Sequence, residues 1–571
     1  MHIFSLEISI GWRVPPRSRH VSLPLLLPPF GLSPQRIPVP TPPILGACGP
    51  MGVADERSCG WDPARPFIST CAARSTRARA SMTVGNEETW DVVVVGAGVA
   101  GASLAARLGR DGRSVLVLER DLREPDRIIG ELLQPGGYQK LQELGLEACV
   151  EGIDAQEVHG YCIFRDGEQC VIPYPEAYVA EKDGYEHVAG RSFHHGRFIM
   201  KLREAAAAVP NVELRQGTVN KLLAEDGSEW VDHDTKPQRV IGVCYTDAQG
   251  KKCTARADLS IVCDGMYSKF RKNLSKPEID HPSYFVGLIL ENCKLPEPNH
   301  GHVILADPSP VLFYPISSTE TRVLVDIAGN KIPSTQTGDM AKYMKESVAP
   351  QIPEILRQPF LDAVEKGGFR SMRNTILPGK PLHCPGALLL GDAFNMRHPL
   401  TGGGMTVALS DISTLADMLR PLPDFSDLEA SSKTTKAFYH KIRPIAATIN
   451  TLANALYRVF CGGSGNKAHD EMREACFYYL KQGGVYSEGP ISLLSGLNPQ
   501  PVVLVMHFFL VAFFGVKRVV SHYGLAGLWL GSQVIACATA IIYPIIKSEG
   551  LLHFMRACAS APRPSHPKKD L

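Results

Sequence analysis

The sequence of 571 residues lacks a charge excess of either sign and lacks closely paired cysteines. Lysine and arginine total 60 against 58 aspartates and glutamates. The clustered basic surplus of a nucleic-acid-binding protein is therefore missing. The 15 cysteines contain no Cys-x-x-Cys pair, which argues against a zinc module and favours reduced thiols in a protein that faces the cytosol. With 44% apolar and 21% charged residues, the chain can form a large packed core.

Acidic residues are scarce at the start of the chain. Residues 1–81 contain nine arginines and thirteen prolines. The only acids there are Glu7, Asp55, Glu56 and Asp62. The stretch Pro24–Pro43 is too rich in proline for a helix or a strand interior, and no apolar run in residues 1–81 is long enough to span a membrane. We expect residues 1–85 to form a leader, which is a disordered tail, an organelle-targeting peptide or the result of a start codon upstream of the true one at Met82.

The stretch that begins at Trp90 has the pattern of a strand, a turn, a helix and a second strand. Asp91–Val95 and Ser114–Glu119 are short apolar runs that predict buried strands. The alanines and leucines of Ala97–Arg110 predict a helix between them. One βαβ unit is therefore complete within about thirty residues.

A glycine-rich turn connects the first strand to the helix. Gly96-Ala97-Gly98-Val99-Ala100-Gly101 matches the GxGxxG motif, whose glycines permit a tight turn, the approach of a pyrophosphate and close helix packing. The phosphates then lie at a helix N-terminus. Glu119 ends the second strand, eighteen residues after Gly101, where a carboxylate accepts hydrogen bonds from ribose hydroxyls and repels the 2′-phosphate of NADP. The pattern predicts FAD or NAD, and the alternative for Glu119 is a solvated strand end.

Two later motifs distinguish FAD from NAD. Val262-Cys263-Asp264-Gly265 ends the apolar run Asp258–Cys263, and Leu388-Leu389-Leu390-Gly391-Asp392-Ala393 continues the run Ala387–Leu390. A GxGxxG, an Asp-Gly and a Gly-Asp in this order resemble the flavin-dependent monooxygenases of the p-hydroxybenzoate hydroxylase type. The resemblance implies that the cofactor is FAD and that Asp392 binds its ribityl chain, whereas an isolated Gly-Asp pair is usually a turn.

Three consecutive glycines follow shortly after Asp392. Thr401-Gly402-Gly403-Gly404-Met405 precedes Thr406–Leu419, which predicts a helix. Glycines allow the backbone to lie flat against a planar ring, and a helix N-terminus stabilises negative charge at the N1–C2 edge of reduced flavin. We interpret this segment as a flavin-contacting loop, and the alternative is a flexible loop.

Longer strings extend the resemblance to the squalene monooxygenase (squalene epoxidase) family. They are Gln134-Pro135-Gly136-Gly137, Gly190-Arg191-Ser192-Phe193-His194-His195-Gly196-Arg197, Asp307-Pro308-Ser309-Pro310 and Asn395-Met396-Arg397-His398-Pro399-Leu400-Thr401-Gly402-Gly403-Gly404-Met405. The similarity runs from about Trp90 to Ile546 and leaves out the leader. It implies an α/β fold with an FAD-binding Rossmann-like domain, an interleaved mixed-sheet substrate domain and a C-terminal α-helical membrane hairpin.

Carried over position by position, the resemblance implies a set of FAD contacts. They are Gly96, Gly98, Val99, Ala100, Gly101, Glu119, Arg120, Arg127, Arg197, Asp392 and Met405. Arg127 and Arg197 can donate to pyrophosphate or ring carbonyl oxygens, although surface arginines are the alternative for both. Tyr161 matches a tyrosine at the family's active site, and its alternative is a core aromatic on a strand. No metal-binding spacing occurs in the sequence.

The resemblance also implies the reaction. Members of the family epoxidise squalene to (3S)-2,3-oxidosqualene for sterol synthesis through a flavin C4a-hydroperoxide, and they take electrons from NADPH through a separate cytochrome P450 reductase. Squalene has no polar group, so its pocket must be long and apolar, and we expect Tyr284–Leu290 and Val311–Tyr314 to contribute to it. Two alternatives are a flavoprotein that acts on another prenyl lipid and a membrane-bound flavin- or lipid-binding protein without turnover.

The C-terminal part of the chain is unusually apolar. Pro501–Val516 and Gly524–Ile546 contain no charged residue, and the second is long enough to cross a bilayer. A helical hairpin in one leaflet and a buried core hairpin are both compatible with this composition. We predict membrane attachment with membrane lipid as a partner. The final Lys568-Lys569-Asp570-Leu571 resembles a retrieval signal of the endoplasmic reticulum, or it is a basic solvated tail.

These inferences predict an order of segments after the leader. The segments are an FAD-binding part at 86–275 with interleaved substrate-domain strands from about 155, a substrate-binding domain at 276–380, a second FAD-binding part at 381–425, a helical region at 426–500, membrane-associated helices at 501–556 and a basic tail at 557–571.

Overall fold

The computed structural model describes residues 82–84, 87–179, 184–230, 239–462 and 465–550. The predictions for residues 1–81 and for the tail 557–571 therefore lie outside the described residues. The strands are β1 Met82–Val84, β2 Glu87–Val95, β3 Val115–Glu119, β4 Leu132–Leu133, β5 Gln156–Val158, β6 Gly160–Arg165, β7 Glu168–Pro173, β8 Glu176–Val179, β9 Gly184–His187, β10 Gly190–Ser192, β11 Val212–Ala224, β12 Val240–Asp247, β13 Lys252–Val262, β14 Asp280–Glu291, β15 His300–Ile304, β16 Val311–Pro315, β17 Glu320–Ala328, β18 Arg370–Ile376 and β19 Ala387–Leu389. The α-helices are α1 Val99–Arg110, α2 Pro135–Glu143, α3 His195–Ala207, α4 Arg271–Leu274, α5 Asp339–Tyr343, α6 Glu354–Lys366, α7 Gly404–Leu419, α8 Leu428–Phe460, α9 Lys467–Leu480, α10 Val485–Leu494, α11 Pro501–Tyr523 and α12 Gly527–Glu549.

A parallel sheet carries the predicted dinucleotide motifs. Strands β11, β3, β2, β13 and β19 pair in parallel in that order. The central runs Val92–Val94 and Val115–Val117 are fully buried, because helices α1, α3 and α7 cover the sheet, and this explains their continuous apolar sequence. Strand β12 pairs antiparallel with β11 and β13 beyond the parallel region.

A second sheet has mixed pairing and takes strands from distant parts of the chain. Its order is β18-β14-β17-β16-β15-β6-β7, and only β15 and β6 pair in parallel. Helices α5 and α6 cover one face, and the C-terminal helices pack on the opposite face. The α/β class with a mixed second sheet and C-terminal helices confirms the predicted fold class.

A buried ion pair holds the segment between β3 and β4 against the mixed sheet. Glu131, which follows the parallel-sheet region of the chain, accepts two hydrogen bonds of 2.8 Å from the Arg322 guanidinium on β17. The Tyr314 hydroxyl on β16 donates to the same carboxylate at 3.1 Å. Both charged side chains are almost wholly buried, so each needs the other to offset the loss of hydration.

The C-terminal segment folds into five consecutive helices. Helix α8 begins after Asp427, whose carboxylate accepts from the backbone N–H groups of Glu429 and Ala430 as an N-cap. Helices α11 and α12 pack against each other and against α8 and α9. By length and composition, Pro501–Glu549 could cross a membrane, with a mean hydropathy of 2.0 in its most apolar window.

Candidate active site

The glycine turn after β2 presents backbone N–H groups at the start of α1. Gly96 has φ of +98°, a left-handed conformation that favours glycine. A Cβ on Gly101 would lie 1.8 Å from the Gly96 carbonyl oxygen, whereas a Cβ on Gly98 would meet only open space. Gly98 caps α1 without a side-chain hydrogen bond. Its neighbours Val99 and Ala100 open the helix, so the first-turn N–H groups are available to an anion such as pyrophosphate.

The Glu119 carboxylate lies beside this turn. One of its oxygens accepts from Ala97 N at 2.7 Å and the other accepts from Asp121 N at 3.2 Å. The buried Arg203 on α3 donates to the Ala97 carbonyl at 2.9 Å and lies 3.8 Å from Glu119. Sequence reasoning missed Arg203, because a helical arginine in a run of alanines carries no local signal of a role.

The three predicted arginines lie near this region but differ in exposure. Arg120 and Arg127 are exposed on the segment that follows β3. Arg197 is half-buried on α3 and donates to the Ile153 carbonyl at 3.4 Å. Their contacts with FAD therefore stay predictions.

A buried arginine joins the Asp-Gly and Gly-Asp motifs. Arg271 donates to the carbonyls of Ala393 at 2.9 Å and Asp392 at 2.9 Å on one side, and to the carbonyl of Gly265 at 3.1 Å on the other. The Asp392 carboxylate remains exposed, where it can accept from a polar ligand. Arg271 is a second residue that sequence reasoning missed, since its role arises only where two distant loops meet.

The three-glycine loop leads into α7 as predicted, although the helix begins at Gly404 and not at Thr406. Gly402 has φ of +62°, and Met405 is buried in the first turn of α7. Gly403 caps the helix without a side-chain hydrogen bond. The first-turn N–H groups of α7 are therefore free to face the electron-rich edge of a ring.

Tyr161 belongs to a buried hydrogen-bonded group that reaches this loop. The Gln134 side-chain amide donates to the Tyr161 hydroxyl at 2.6 Å and to the Thr401 carbonyl at 2.7 Å. Its carbonyl accepts from the Tyr174 hydroxyl at 2.6 Å. Burial raises the pKa of Tyr161 to about 12, so the phenol is neutral at physiological pH. The amide of Gln134 thus uses both donors and its acceptor.

An apolar cavity begins at Tyr161 and Thr401. Its lining residues are Tyr161, Ile163, Ile172, Val303, Leu400, Thr401, Leu452, Ala455, Leu456, Val459, Phe460, Met472, Cys476, Leu480, Pro490, Ile491, Leu493, Leu494, Leu504, His507, Phe508 and Val511. The space measures about 970 Å³ including its open side, and its lining is almost wholly apolar. The cavity therefore suits a ligand without polar groups.

The lining of this cavity does not include Tyr284–Leu290 or Val311–Tyr314, although Leu312 and Tyr314 belong to the same buried cluster as Tyr161, so their contribution to a substrate pocket stays a prediction. Side chains alternate between the two faces of these strands, and Val286, Leu288 and Phe313 point into the cluster under α5 and α6. On the other face, Phe285 packs against the ring of His398. Helices α8 to α11 supply most of the lining instead.

The fold and site together define a class of flavoprotein. The structure is similar to a flavoprotein/dehydrogenase from Cytophaga hutchinsonii, with a TM-score of 0.58, 17% identity and coverage of 76% of this chain and 100% of that one. It is also similar to p-nitrophenol 4-monooxygenase from Pseudomonas putida, with a TM-score of 0.57, 17% identity and coverage of 72% and 98%. A family model described as an NAD(P)-binding Rossmann-like domain matches residues 94–123. The chain thus shares its fold with a flavoprotein and a monooxygenase.

Curated relatives define the family within this class. A family model described as squalene epoxidase matches residues 256–531. Squalene epoxidase 3 of Arabidopsis thaliana is 55% identical, over 82% of this chain and 87% of the relative. Squalene monooxygenase of Mus musculus is 44% identical, over 80% and 78%. The chain belongs to the squalene epoxidase family, and its cofactor is FAD.

The residues present fit FAD. Gly98 leaves open space at the start of α1, where a pyrophosphate would lie, and Glu119 is placed for the ribose. Near the three-glycine loop, buried polar atoms of Arg397, Thr401 and Thr406 have no protein partner among the described residues. A flavin ring with several polar atoms would supply partners there, because buried polar groups are nearly always hydrogen-bonded.

We expect Asp392→Ala to abolish FAD retention during purification. A hydrogen bond from a ribityl hydroxyl to a carboxylate contributes about 1.5–3 kcal/mol, so FAD affinity should fall about ten- to hundredfold. The ratio of flavin to protein absorbance after gel filtration measures this. Asp362→Ala, at an exposed aspartate on α6, is the matched control and should stay yellow. A fully yellow Asp392→Ala protein would contradict the assignment.

Proposed function

We propose that this protein is a squalene monooxygenase that converts squalene to (3S)-2,3-oxidosqualene with O2, using electrons from NADPH delivered by a separate cytochrome P450 reductase at the endoplasmic reticulum membrane. Membership of the squalene epoxidase family supports the reaction and substrate. The observation that carries the proposal is the apolar cavity, because its lining includes Thr401, which enters the three-glycine loop. Part of a long alkene in the cavity would thus come next to the proposed flavin site.

The residues of the chain would perform four tasks in this reaction. Bound FAD supplies the activation of O2 and the electrons that transfer of one oxygen atom to an alkene requires. The glycine turn at α1 and the Glu119 carboxylate hold the dinucleotide end of the cofactor. The loop Gly402–Gly404 and the N-terminus of α7 hold its ring and favour negative charge there. Cavity side chains orient the alkene and exclude water.

Tyr161 would hold the part of the pocket where the substrate reacts in a fixed position relative to the three-glycine loop. It lines the cavity, and through Gln134 it is two hydrogen bonds from the Thr401 carbonyl. Its hydroxyl accepts from Gln134 and therefore keeps its own proton for another acceptor. A neutral tyrosine at this position suits orientation better than general-base catalysis, because burial raises its pKa.

The number of dinucleotide sites supports a separate reductase. Among the described residues there is one GxGxxG turn between a strand and a helix, and FAD occupies that kind of site in this class. NADPH would need its own site for direct hydride transfer. Electrons from NADPH are therefore proposed to arrive through a second protein.

The hairpin of α11 and α12 supports membrane attachment and access of a lipid substrate. Large apolar side chains are exposed along it, namely Val502, Met506, Leu510, Phe513, Tyr523, Leu525, Leu528, Trp529 and Tyr543. The opposite face of α11 lines the cavity through Leu504, His507, Phe508 and Val511. An exposed apolar face of this extent is typical of a membrane contact. We propose that squalene enters from the leaflet beside α11.

A product assay tests the reaction and the electron partner together. Detergent-solubilised protein receives squalene, NADPH and O2, with and without a cytochrome P450 reductase, and mass spectrometry detects oxidosqualene. We expect product only with the reductase. Protein that contains FAD but gives no epoxide under either condition would contradict squalene as the substrate, and equal product without reductase would contradict the separate electron partner.

We expect Tyr161→Phe to lower turnover about two- to tenfold without loss of FAD. The change removes hydrogen bonds worth about 0.5–1.5 kcal/mol but keeps the ring. Steady-state turnover and the flavin-to-protein absorbance ratio are the two measurements. Tyr478→Phe, which removes a hydroxyl bonded to Glu168 on the surface, is the control. Unchanged kinetics in Tyr161→Phe would identify Tyr161 as a core aromatic only.

We expect the double variant Phe513→Ser with Trp529→Ser to lose vesicle binding. Each ring should contribute up to about 1.5–3 kcal/mol when it leaves water, so binding to phospholipid vesicles should fall at least about tenfold. Co-sedimentation with vesicles measures this. Ile355→Ser changes an equally exposed apolar residue on α6 and should bind as before. Retained binding in the double variant would argue against membrane attachment through the hairpin.

A further inference from the structure

A buried histidine supports the turn that precedes the three-glycine loop. His398 Nδ1 accepts from the backbone N–H of Leu400 at 3.3 Å, and so caps the short 3₁₀ turn Pro399–Thr401. The backbone N–H of His398 donates to the Asn454 side chain on α8 at 3.0 Å. The same turn ends at Thr401, whose carbonyl accepts from Gln134. His398 therefore helps to fix the backbone that enters the flavin loop.

The hydrogen bonds around His398 have a defined direction. Because Nδ1 accepts from an N–H group, the ring proton of the neutral imidazole lies on Nε2. Nε2 lies 3.0 Å from Ser283 Oγ on β14, 3.3 Å from the side-chain amide nitrogen of Asn374 on β18 and 3.6 Å from Asp326 Oδ1 on β17. Its N–H group donates to Ser283 Oγ, which in turn donates to Asp326 Oδ1 at 2.6 Å. The chain of donors thus runs from Leu400 to His398, then to Ser283, and ends on the Asp326 carboxylate.

The buried Asp326 carboxylate has few polar partners to offset its loss of hydration. Asp326, Ser283 and His398 are at most 1% exposed. Asn374 on β18 donates to Asp326 Oδ1 at 3.0 Å and to Ser283 Oγ at 2.9 Å, but Asp326 Oδ2 has no partner among the described residues. Since a buried carboxylate with unused acceptor capacity contributes little to stability, a functional reason for its presence is the stronger explanation.

The surroundings of the ring favour the neutral histidine. His398 stacks on Tyr457 of α8 with 3.7 Å between ring centroids, and the edge of Phe285 lies 5.6 Å away. The titratable groups that face the ring are Asp326 and Tyr457, while Ser283 and Asn374 present neutral dipoles. Burial lowers the pKa of His398, and the Asp326 carboxylate opposes this shift only in part.

We propose that His398 is a positioning residue whose Nε2–H tautomer, set by Ser283 and Asp326, holds Thr401 and the three-glycine loop in the conformation that receives the flavin ring. This inference depends on the proposed function only in that the loop binds FAD. In the other tautomer, or in the imidazolium, Nδ1 carries a proton and faces the Leu400 N–H. Two donors would then oppose each other and the turn would open.

Asp326→Asn provides the sharpest test, because an amide at this position can donate to Ser283 and reverse the whole chain of hydrogen bonds. We expect FAD affinity about tenfold lower and an altered visible circular dichroism of the bound flavin. His398→Leu should behave in the same way. His398→Asn keeps an acceptor near the Leu400 N–H and should restore both readouts in large part. His302→Asn, at another buried histidine, is the control and should leave both unchanged.

Ser283→Ala repeats the test without a change of charge and should give a smaller loss in the same direction. In the wild type, FAD retention should be constant down to the ordinary histidine pKa of about 6.5 and fall only below it, because burial lowers the pKa of His398 and keeps the imidazole neutral at that pH. His398→Asn should lack this fall. Both readouts are independent of squalene, so a failed product assay would leave this inference intact.

Two results would overturn the inference. The first is an Asp326→Asn protein with a lowered unfolding temperature but with unchanged FAD affinity and flavin dichroism, because the cluster would then act only in core stability. The second is Ser283→Ala and His398→Leu proteins that both bind FAD like the wild type. If Asp326→Asn does not fold, the Ser283 and His398 variants decide the question by the same two measurements.

Discussion

The side-chain amide of Gln134 connects the substrate cavity with the flavin loop. It reaches Tyr161 on the mixed sheet, Thr401 at the entry to the glycines, and Tyr174 on a third segment. Gln134 is fully buried, so the loss of any of these bonds would leave a polar atom unsatisfied in the core. These hydrogen bonds hold Tyr161, a lining residue of the cavity, close to the Thr401 carbonyl at the entry to the loop proposed to receive the flavin ring.

Two other buried groups support the same junction from different sides. The ion pair between Glu131 and Arg322 holds the loop after the parallel strands against the mixed sheet. Arg271 joins the two motif loops at the ends of β13 and β19. Arg322 forms a bidentate pair with one carboxylate, whereas Arg271 donates to carbonyls of two loops, and the planar set of donors of a guanidinium suits both tasks. Buried polar contacts thus hold distant segments of the chain together around the candidate site.

The dinucleotide site was predictable from sequence because its determinants are local. A glycine turn, the strand before it and Glu119 lie within one βαβ unit, and the structure places them together. Family resemblance led to Tyr161, but composition did not, since a buried tyrosine on a strand is usually a core residue. Gln134, Arg203, Arg271 and His398 acquire their roles only through contacts with segments far away in the chain. The spacing of apolar residues along the sequence gives no information about such contacts.

The lining of the cavity was not predictable for a similar reason. A continuous apolar run along a strand indicates that both faces are buried, but it does not reveal what covers each face. Val286 and Phe313 face a helical layer, and Phe285 faces His398. Most of the lining of the cavity comes from helices whose apolar stripes have several possible partners. Only the packing of the whole chain decides which stripe encloses the cavity.

The motifs proposed to bind FAD and most residues that line the cavity lie in different parts of the chain, and this has a consequence for evolution. The motifs proposed to hold FAD end at Met405, whereas 16 of the 22 residues that line the cavity lie between Leu452 and Val511. Substitutions in that later stretch can lengthen, bend or narrow the cavity while the cofactor site keeps its sequence. Redox chemistry and ligand shape are thus encoded in separable parts of one chain, which allows new hydrocarbon specificities to arise without a new flavin site.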